Sequence, residues 1–307
     1  MTKYEKHGAL HVNAQGKLVD HNGEIVSLHG YSSHGLSWYP EYINREFFEF
    51  MKKNWKIDLV RLAMYTAEED GYCVGDEANK KKLLEVIDRG VKAATELGLY
   101  CIIDWHILSD SNPLMNIDEA AKFFDIVSSR YHAYGNILYE ICNEPNVDCV
   151  WEDIKSYAEK IIPIIRKNDK QAVILVGTPT WSQELDKPLN NPIDIDNNLM
   201  YVLHFYADTH RDALRSVFEQ AVNASLPVFV TEFGACNAAG NGDNNFDEAN
   251  TWIELLDKYD VSFAMWNLSN RDETSASFVP NCTKTSDFTD EDLNPSAKWF
   301  IEVLKNH

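Results

Sequence analysis

The stretch NILYEICNEPN, residues 136–146, joins an apolar run to a polar ending. Residues 136–142 have the composition of a buried strand, and Asn143, Glu144 and Pro145 follow at once. Because proline cannot continue a central strand, the pattern predicts a strand that ends by presenting Glu144. Glu144 then either shapes the turn before Pro145 or does chemistry, and chemistry would need a second acidic or basic group elsewhere in the chain.

Similar apolar runs recur along the chain, at residues 24–30, 58–64, 100–106, 172–177, 199–206, 227–234 and 262–268. Segments with helical periodicity lie between or after them, at 79–98, 117–135, 150–168 and 294–306, with Gly98 and Gly135 as expected C-caps. Strands that are apolar on both faces and alternate with helices predict a parallel sheet. Eight repeats in 307 residues favour an α/β fold with a closed (β/α)8 TIM barrel over an open sheet.

The segment before the first run, LHVNAQGKLVDHNG (10–23), reads as a short β-hairpin with Asn22-Gly23 as its turn signal. We expect this hairpin to cap the bottom, or N-terminal face, of the barrel. The sequence has no proline- or serine-rich linker. Residues 1–307 are therefore predicted to form a single (β/α)8 domain.

Composition excludes several classes of partner. The formal net charge of −20 disfavours binding to nucleic acid or to anionic membranes. No apolar run is long enough for a transmembrane helix, and the six cysteines form no CxxC pair. No glycine-rich nucleotide motif is present, so neither a cofactor nor a metal is expected. The N-terminus lacks the apolar core of a signal peptide, which indicates a cytoplasmic protein or one whose leader has been removed.

Polar and aromatic residues gather where the predicted strands end, which in a barrel of this type is the functional face. They belong to seven of the eight strand ends and to the loops just beyond, and they are His34, Trp38, Arg61, Tyr65, His106, Asn143, Glu144, Trp181, His204, Tyr206, Glu232 and Trp266. Buried charges are costly unless they are paired or used. A barrel built for stability alone would not carry this ring.

Each of these residues also has a structural interpretation when it is taken alone. Glu144 could accept hydrogen bonds in a turn, and Glu232 could cap a helix. A single buried histidine is usually a satisfied core residue, and Trp266 could be core packing. Arg61 could be a structural ion-pair partner, which would still require a buried carboxylate such as Glu232 beside it.

Glu144 is placed at the end of the fourth predicted strand and Glu232 at the end of the seventh, and these two strands lie on opposing sides of an eight-stranded ring. Two opposed carboxyl groups are the equipment of glycoside hydrolysis, retaining at about 5–5.5 Å separation and inverting at about 6.5–9.5 Å. Arg61 and Tyr206 could hold Glu232 ionised as the nucleophile. The neighbouring anion would then keep Glu144 protonated as the acid/base. Asn143 could bind a sugar 2-hydroxyl.

Seven segments resemble those of bacterial endoglucanases of glycoside hydrolase family 5, in their large cellulase subfamily. They span residues 29–277 in the family's order: HGYSSHGLSWYP, LVRLAMYTAEEDGY, IIDWHIL, ILYEICNEPN, VLHFYADTH, PVFVTEFGAC and MWNLSNRDETSA. The resemblance implies a TIM barrel that hydrolyses β-1,4-glucan with retention, with Glu144 as acid/base and Glu232 as nucleophile.

The resemblance also implies roles for the surrounding residues. It places around the cleaved sugar Arg61, His106, Asn143, His204, Tyr206 and Trp266. It places at neighbouring sugars His34, Trp38, Tyr65 and Trp181. Arg271 stands where many relatives carry lysine, which changes the donor geometry, and Glu273 follows it as usual. Such enzymes are normally secreted, often as one module of a longer protein, and a monomer is the default expectation for this chain.

Three alternatives remain open from the sequence. The main activity could be on lichenan, xylan, glucomannan or xyloglucan, with the same mechanism. A catalytically silent glycan-binding barrel is a second alternative, although it would be expected to lack Glu144, Glu232 or Arg61. An isomerase or aldolase on the same fold is the third, since fold does not fix function. The eight strand runs contain no lysine for a Schiff base.

Overall fold

A computed structural model describes residues 1–307 and contains a closed barrel of eight parallel strands, in the order β10-β3-β4-β5-β6-β7-β8-β9. The barrel strands are β3 (His29–Ser33), β4 (Leu59–Tyr65), β5 (Tyr100–His106), β6 (Ile137–Glu140), β7 (Ile174–Val176), β8 (Leu199–Tyr206), β9 (Val228–Gly234) and β10 (Phe263–Leu268). Every residue of these strands is buried, as expected for a parallel sheet covered on both faces. The predicted TIM barrel is confirmed.

Helices surround the barrel and pack on its outer face. The longer ones are Glu77–Leu97, Ile117–Tyr131, Trp151–Asn168, Asp212–Asn223, Phe246–Lys258 and Pro295–Lys305, and shorter ones are Lys3–His7, Arg45–Phe50 and Asp186–Asn190. Gly98 caps its helix in the left-handed conformation, with φ of 65°, as predicted. The expectation for Gly135 is wrong, because the preceding helix ends at Tyr131 and its cap residue is His132. No helix is both long and apolar enough to cross a bilayer.

The predicted hairpin is present as β1 (His11–Val12) and β2 (Leu18–Val19), which pair antiparallel. Its turn lies between Val12 and Leu18 rather than at Asn22-Gly23, which forms the next turn of the chain. Leu10 and Leu18 pack in a 14-residue apolar cluster with residues from the first half of most barrel strands, among them Leu59 and Ile102. The hairpin segment therefore closes the N-terminal face, as expected, and gives the barrel an apolar floor.

Two predicted strands differ from the observed ones by three or more residues at one end or both, and the others differ by at most two. The first run was placed at 24–30, but β3 begins at His29 and extends to Ser33. The fourth run was expected to end at Glu144, whereas β6 ends at Glu140 and Glu144 lies in the segment that follows. Strand register then brings polar residues together above the floor, since Asp104 pairs with Glu140 and His204 with Glu232.

Candidate active site

Arg61, on β4, is the electrostatic centre of the C-terminal face. It is fully buried. Its Nε and Nη2 donate to the two oxygens of Glu140 at 2.8 and 2.9 Å, and Nη1 donates to Glu232 Oε2 at 3.2 Å. Nη2 also lies 3.0 Å from Asp104 Oδ2. Burial disfavours the charge of Arg61, but the three carboxyl groups outweigh burial and raise its pKa.

Glu232, on β9, is the carboxyl with the stronger set of donors. Tyr206 donates its phenol proton to Glu232 Oε1 at 2.7 Å, and Arg61 donates to Oε2. Both contacts match the prediction. Burial raises the pKa of Glu232 above its usual value, and Arg61 and the hydrogen bond from Tyr206 oppose this rise without reversing it. These donors favour the ionised form that a nucleophile requires.

Glu144 has a different environment. Its Oε1 lies 2.9 Å from His204 Nδ1, and only 9% of the residue is exposed. Burial raises the pKa of Glu144 well above its usual value, and the charge of Glu232 raises it further. Arg61 opposes these effects without reversing them. The geometry therefore favours a protonated Glu144 next to an ionised Glu232.

The two carboxyl groups lie close together. One oxygen of Glu144, one of Glu232 and a ring nitrogen of His204 all lie within 4.8 Å of one another. The spacing of these two oxygens is shorter than the separation of about 6.5–9.5 Å that the carboxyl pair of an inverting enzyme keeps to admit a water molecule.

His106, on β5, links Asp104 to Asn143, the residue that precedes Glu144. Its Nδ1 lies 2.5 Å from Asp104 Oδ2, and its Nε2 lies 3.2 Å from Asn143 Nδ2. Burial and then Arg61 lower the pKa of His106 to about 3, so the ring is neutral and Nε2 accepts from Asn143. Asn143 also donates to the Ile107 carbonyl at 3.1 Å. A sugar oxygen that accepts from Asn143 Nδ2 would therefore replace one of these two bonds, while Asn143 Oδ1 accepts from Arg61 Nη2 at 2.6 Å.

An aromatic wall borders the carboxyl pair. Trp266 stacks on His106 with ring centres 5.2 Å apart and an interplanar angle of 14°. Tyr65 packs against His106 at 4.2 Å and against Trp38 at 4.7 Å. His34 lies 5.0 Å from Trp266. These five ring side chains thus form one continuous surface beside Glu144 and Glu232.

Trp181 stands on the opposite side, on a turn of unusual backbone. Thr180, Trp181 and Ser182 all have positive φ, between 54° and 57°, a conformation that costs about 1–2 kcal/mol for each residue other than glycine. Trp181 N–H donates to the Pro145 carbonyl at 3.0 Å, and Ser182 Oγ donates to the Asn143 carbonyl at 2.6 Å. These bonds attach the turn to the segment that carries Glu144 and leave Trp181 42% exposed.

Arg271 and Glu273 lie at the edge of the site. Arg271 is half-exposed, and its Nε lies 3.0 Å from Glu273 Oε2. Glu273 Oε1 accepts from Asn267 at 2.9 Å and lies 3.9 Å from His34 Nε2. In this structure Arg271 orients Glu273, and its guanidinium remains partly open to a ligand.

Two residues at the centre of the site were missed by sequence reasoning. Glu140 takes a bidentate bond from Arg61, for which the sequence suggested only Glu232 as a partner, and Thr231 donates to Glu140 Oε1 at 2.9 Å. A charged residue inside an apolar strand was the available signal for Glu140, because such a residue requires a buried partner. Thr231 gives no comparable signal, since threonine is common in strands.

Three clusters have side chains spaced closely enough to hold a cation: Glu144/His204/Glu232, His29/Asp257/His307 and His7/Asp20/Glu24. In the first, His204 contacts Glu144 directly, and Arg61 and Tyr206 already donate to Glu232. Hydrogen-bond donors of the protein thus already contact the Glu232 oxygens that a cation in this cluster would use. The expectation that no metal is required stays a prediction.

Arg61→Lys tests the centre of this network. A lysine ammonium cannot reproduce the planar fork that serves Glu140 and Glu232 together, and it leaves buried carboxylates short of donors, at a cost of about 3 kcal/mol. We expect kcat/KM on a soluble glycan to fall about 100-fold and Tm to fall by about 5–10 °C. Arg45→Lys, at a half-exposed arginine, is the control. A variant at Arg61 with unchanged Tm would contradict this account.

A parallel barrel whose C-terminal face holds two buried carboxyl groups, with oxygens within 4.8 Å of each other and an aromatic cleft beside them, is typical of glycoside hydrolases.

Comparison with known proteins identifies the family. The family model described as "Cellulase (glycosyl hydrolase family 5)" matches residues 19–272. The chain is 46% identical to endoglucanase A of Butyrivibrio fibrisolvens, over 98% of this chain and 70% of the relative. It is 42% identical to endoglucanase A of Evansella cellulosilytica, over 92% of this chain and 57% of the relative. The chain therefore belongs to glycosyl hydrolase family 5, among its endoglucanases.

Solved structures agree. The catalytic domain of a Thermobifida fusca endoglucanase is 36% identical, with a TM-score of 0.93 over 99% of this chain and 100% of that domain. A variant of the same domain has been solved in complex with cellotetraose.

Proposed function

We propose that this chain hydrolyses internal β-1,4-glucosidic bonds of cellulose and related β-glucans by a retaining double displacement, with Glu144 as acid/base and Glu232 as nucleophile. The observation that carries the proposal is the spacing of at most 4.8 Å between oxygens of the two carboxyl groups. That spacing fits direct attack by one carboxylate on the anomeric carbon, with the other placed to protonate the departing oxygen.

The first step forms a covalent intermediate. Glu144 gives its proton to the glycosidic oxygen while a Glu232 oxygen attacks the anomeric carbon, so that the C–O bond to the leaving sugar breaks as the ester bond forms. Arg61 and Tyr206 orient Glu232 for attack. The leaving sugar departs as a neutral alcohol, and Glu144 is left ionised.

The second step returns the enzyme to its first state. The ionised Glu144 takes a proton from a water molecule, whose oxygen attacks the anomeric carbon and releases Glu232. Each displacement inverts the carbon, so the product keeps the β configuration. Glu144 is protonated again, and both carboxyl groups are ready for the next turnover.

The substrate class is inferred from the cleft and from the relatives. Sugar rings have apolar faces that pack on aromatic side chains, and Trp38, Trp266 and Trp181 offer such faces on both sides of the carboxyl pair. The relatives named above are endoglucanases, and a structural neighbour binds cellotetraose. We propose that six residues surround the cleaved sugar: Arg61, His106, Asn143, His204, Tyr206 and Trp266. We propose that six more bind neighbouring parts of the glucan chain: His34, Trp38, Tyr65, Trp181, Arg271 and Glu273.

Product stereochemistry tests the mechanism, and a substrate panel tests the specificity. We expect proton NMR of a fresh cellotetraose digest to show the β-anomer first, before mutarotation. Among carboxymethyl cellulose, lichenan, xylan and galactomannan, carboxymethyl cellulose should give the greatest release of reducing sugar. Release of the α-anomer first would refute the retaining mechanism. Preference for another glycan would keep the mechanism and change the substrate.

We further propose that residues 1–307 act as one catalytic domain of a secreted, monomeric enzyme. The chain spans 57–70% of the two curated relatives described above, which supports a role as one module of a longer protein.

A further inference from the structure

The direction of the hydrogen bonds around Thr231 indicates where the proton of the acid/base pair is held. Thr231 lies on β9, next to Glu232, and its side chain is fully buried. Its hydroxyl contacts two groups, Glu140 Oε1 at 2.9 Å and His204 Nε2 at 2.8 Å. A hydroxyl has a single proton to donate, so only one of these contacts can be a donation by Thr231.

Glu140 is the acceptor of that proton. An ionised carboxylate only accepts hydrogen bonds, and both oxygens of Glu140 already face guanidinium N–H groups of Arg61. Burial raises the pKa of Glu140 and of its neighbour Asp104 to about 7, and Arg61 opposes both shifts. Asp104 Oδ1 is buried without a partner. It is the oxygen that can carry a proton at no cost to the Arg61 bonds, which leaves Glu140 ionised.

The tautomer of His204 follows from this assignment. Because Thr231 donates to Glu140, its oxygen must accept from His204, and Nε2 therefore carries a proton. Burial, Arg61 and His106 lower the pKa of His204 well below its usual value, so the ring holds only that one proton. Nδ1 is then a bare acceptor, and it lies 2.9 Å from Glu144 Oε1. A hydrogen bond there requires Glu144 to be the donor.

We propose that Thr231 is a positioning residue that fixes the His204 tautomer and so keeps the proton on Glu144 in the free enzyme. The proposal deepens the proposed function, because it rests on Glu144 as the acid. Thr231 is uncharged and lies on β9 beside Glu232, yet it determines whether Glu144 carries the proton. The chain of donors runs from Glu144 through His204 and Thr231 to Glu140.

Other charged groups also face this chain and contribute to the pH profile. Those that act on Glu144 or His204 are Arg61 on β4, Asp104 and His106 on β5, Glu140 on β6, Tyr206 on β8 and Glu232 on β9, together with Tyr65 at the end of β4. None of them donates to or accepts from His204 Nε2 within hydrogen-bond distance, since Glu140 Oε1 lies 4.0 Å away. The Thr231 hydroxyl is thus the contact that holds the proton on His204 Nε2, and removing it allows the proton to move to Nδ1.

Thr231→Val removes the hydroxyl and keeps the side-chain shape. Without its acceptor, His204 can carry the proton on Nδ1 and donate to an ionised Glu144, which lowers the pKa of the acid. We expect the basic limb of the kcat/KM profile on phenyl cellobioside to move down by about one pH unit. Thr231→Ser keeps the hydroxyl and should keep the wild-type profile. An unchanged basic limb in Thr231→Val would overturn the proposal.

The tautomer can be read directly in the unaltered protein. Long-range proton–nitrogen correlation spectra of protein labelled with 15N-histidine distinguish the two neutral forms, and the His204 signals are those missing from His204→Asn. We expect the Nε2-protonated form in wild type. The Nδ1-protonated form there would overturn the proposal, even if Thr231→Val proves too unstable to assay.

A Glu144→Gln variant in the same series separates this proposal from the proposed function. If Glu144→Gln turns over phenyl cellobioside normally, Glu144 is not the acid and the proposed function fails. If Glu144→Gln is impaired while Thr231→Val keeps the wild-type profile, the role of Thr231 alone fails.

Discussion

Glu232→Gln is expected to lower kcat on carboxymethyl cellulose by at least about 10⁴-fold, because the amide cannot form the covalent intermediate. The loss should be as large on 2,4-dinitrophenyl cellobioside, whose leaving group needs no acid. The amide oxygen can accept from Arg61, and the amide N–H can donate to the hydroxyl oxygen of Tyr206, so both neighbours of Glu232 keep a hydrogen-bond partner. Folding should therefore survive, and thermal unfolding should remain cooperative.

A trapping experiment identifies the attacked residue. Incubation with an activated 2-deoxy-2-fluoro cellobioside should add one glycosyl unit to the wild-type protein, at Glu232, as read by peptide mass spectrometry. Glu96→Gln, at an exposed glutamate on the outer helices, should label and turn over like the wild type. A label on another residue, or normal turnover by Glu232→Gln, would remove Glu232 from the nucleophile's role.

Glu144→Gln should show a loss that depends on the leaving group. General-acid catalysis contributes about 10²–10⁴-fold, so kcat/KM on phenyl cellobioside should fall by that amount. The 2,4-dinitrophenyl substrate departs without a proton, and its glycosylation step should fall by less than about tenfold. Stopped-flow measurement of the first turnover isolates that step.

Azide provides the complementary test of Glu144. The second displacement needs a base to deprotonate water, and an anion that attacks without deprotonation can replace that function. We expect azide to restore turnover of the 2,4-dinitrophenyl substrate by Glu144→Gln and to give a β-glycosyl azide. Equal losses on both substrates, without rescue, would mean that Glu144 does not transfer the proton.

Much of the barrel could be predicted because each βα unit carries its own local pattern. The run at 199–206 became β8 with the same bounds, since a strand buried on both faces is apolar throughout. The first strand was misplaced because Val26 and Leu28 are apolar for another reason: they pack in the barrel floor. Composition does not distinguish a floor residue from a strand residue.

The candidate site was predicted unevenly for a related reason. Arg61 and Tyr206 were placed next to Glu232 because strand ends converge on one face, and the structure brings them into hydrogen-bond contact. Glu140 and Thr231 were not predicted, because their contacts join different strands. Arg61 and Glu140 are 79 residues apart in sequence, and Glu140 and Thr231 are 91 apart. Such pairings depend on the shear and register of the closed barrel, which no local pattern encodes.

The left-handed turn at Thr180–Ser182 has a consequence for affinity. An indole on a flexible loop would lose conformational entropy each time a glucan chain docked, and that loss would weaken the complex. Here the turn that carries Trp181 is ordered already when the chain folds, and its strained backbone lowers the free energy of unfolding. Trp181 is thus preorganised, and its rigidity should be felt mainly as a slower release of bound sugar rather than as a faster encounter.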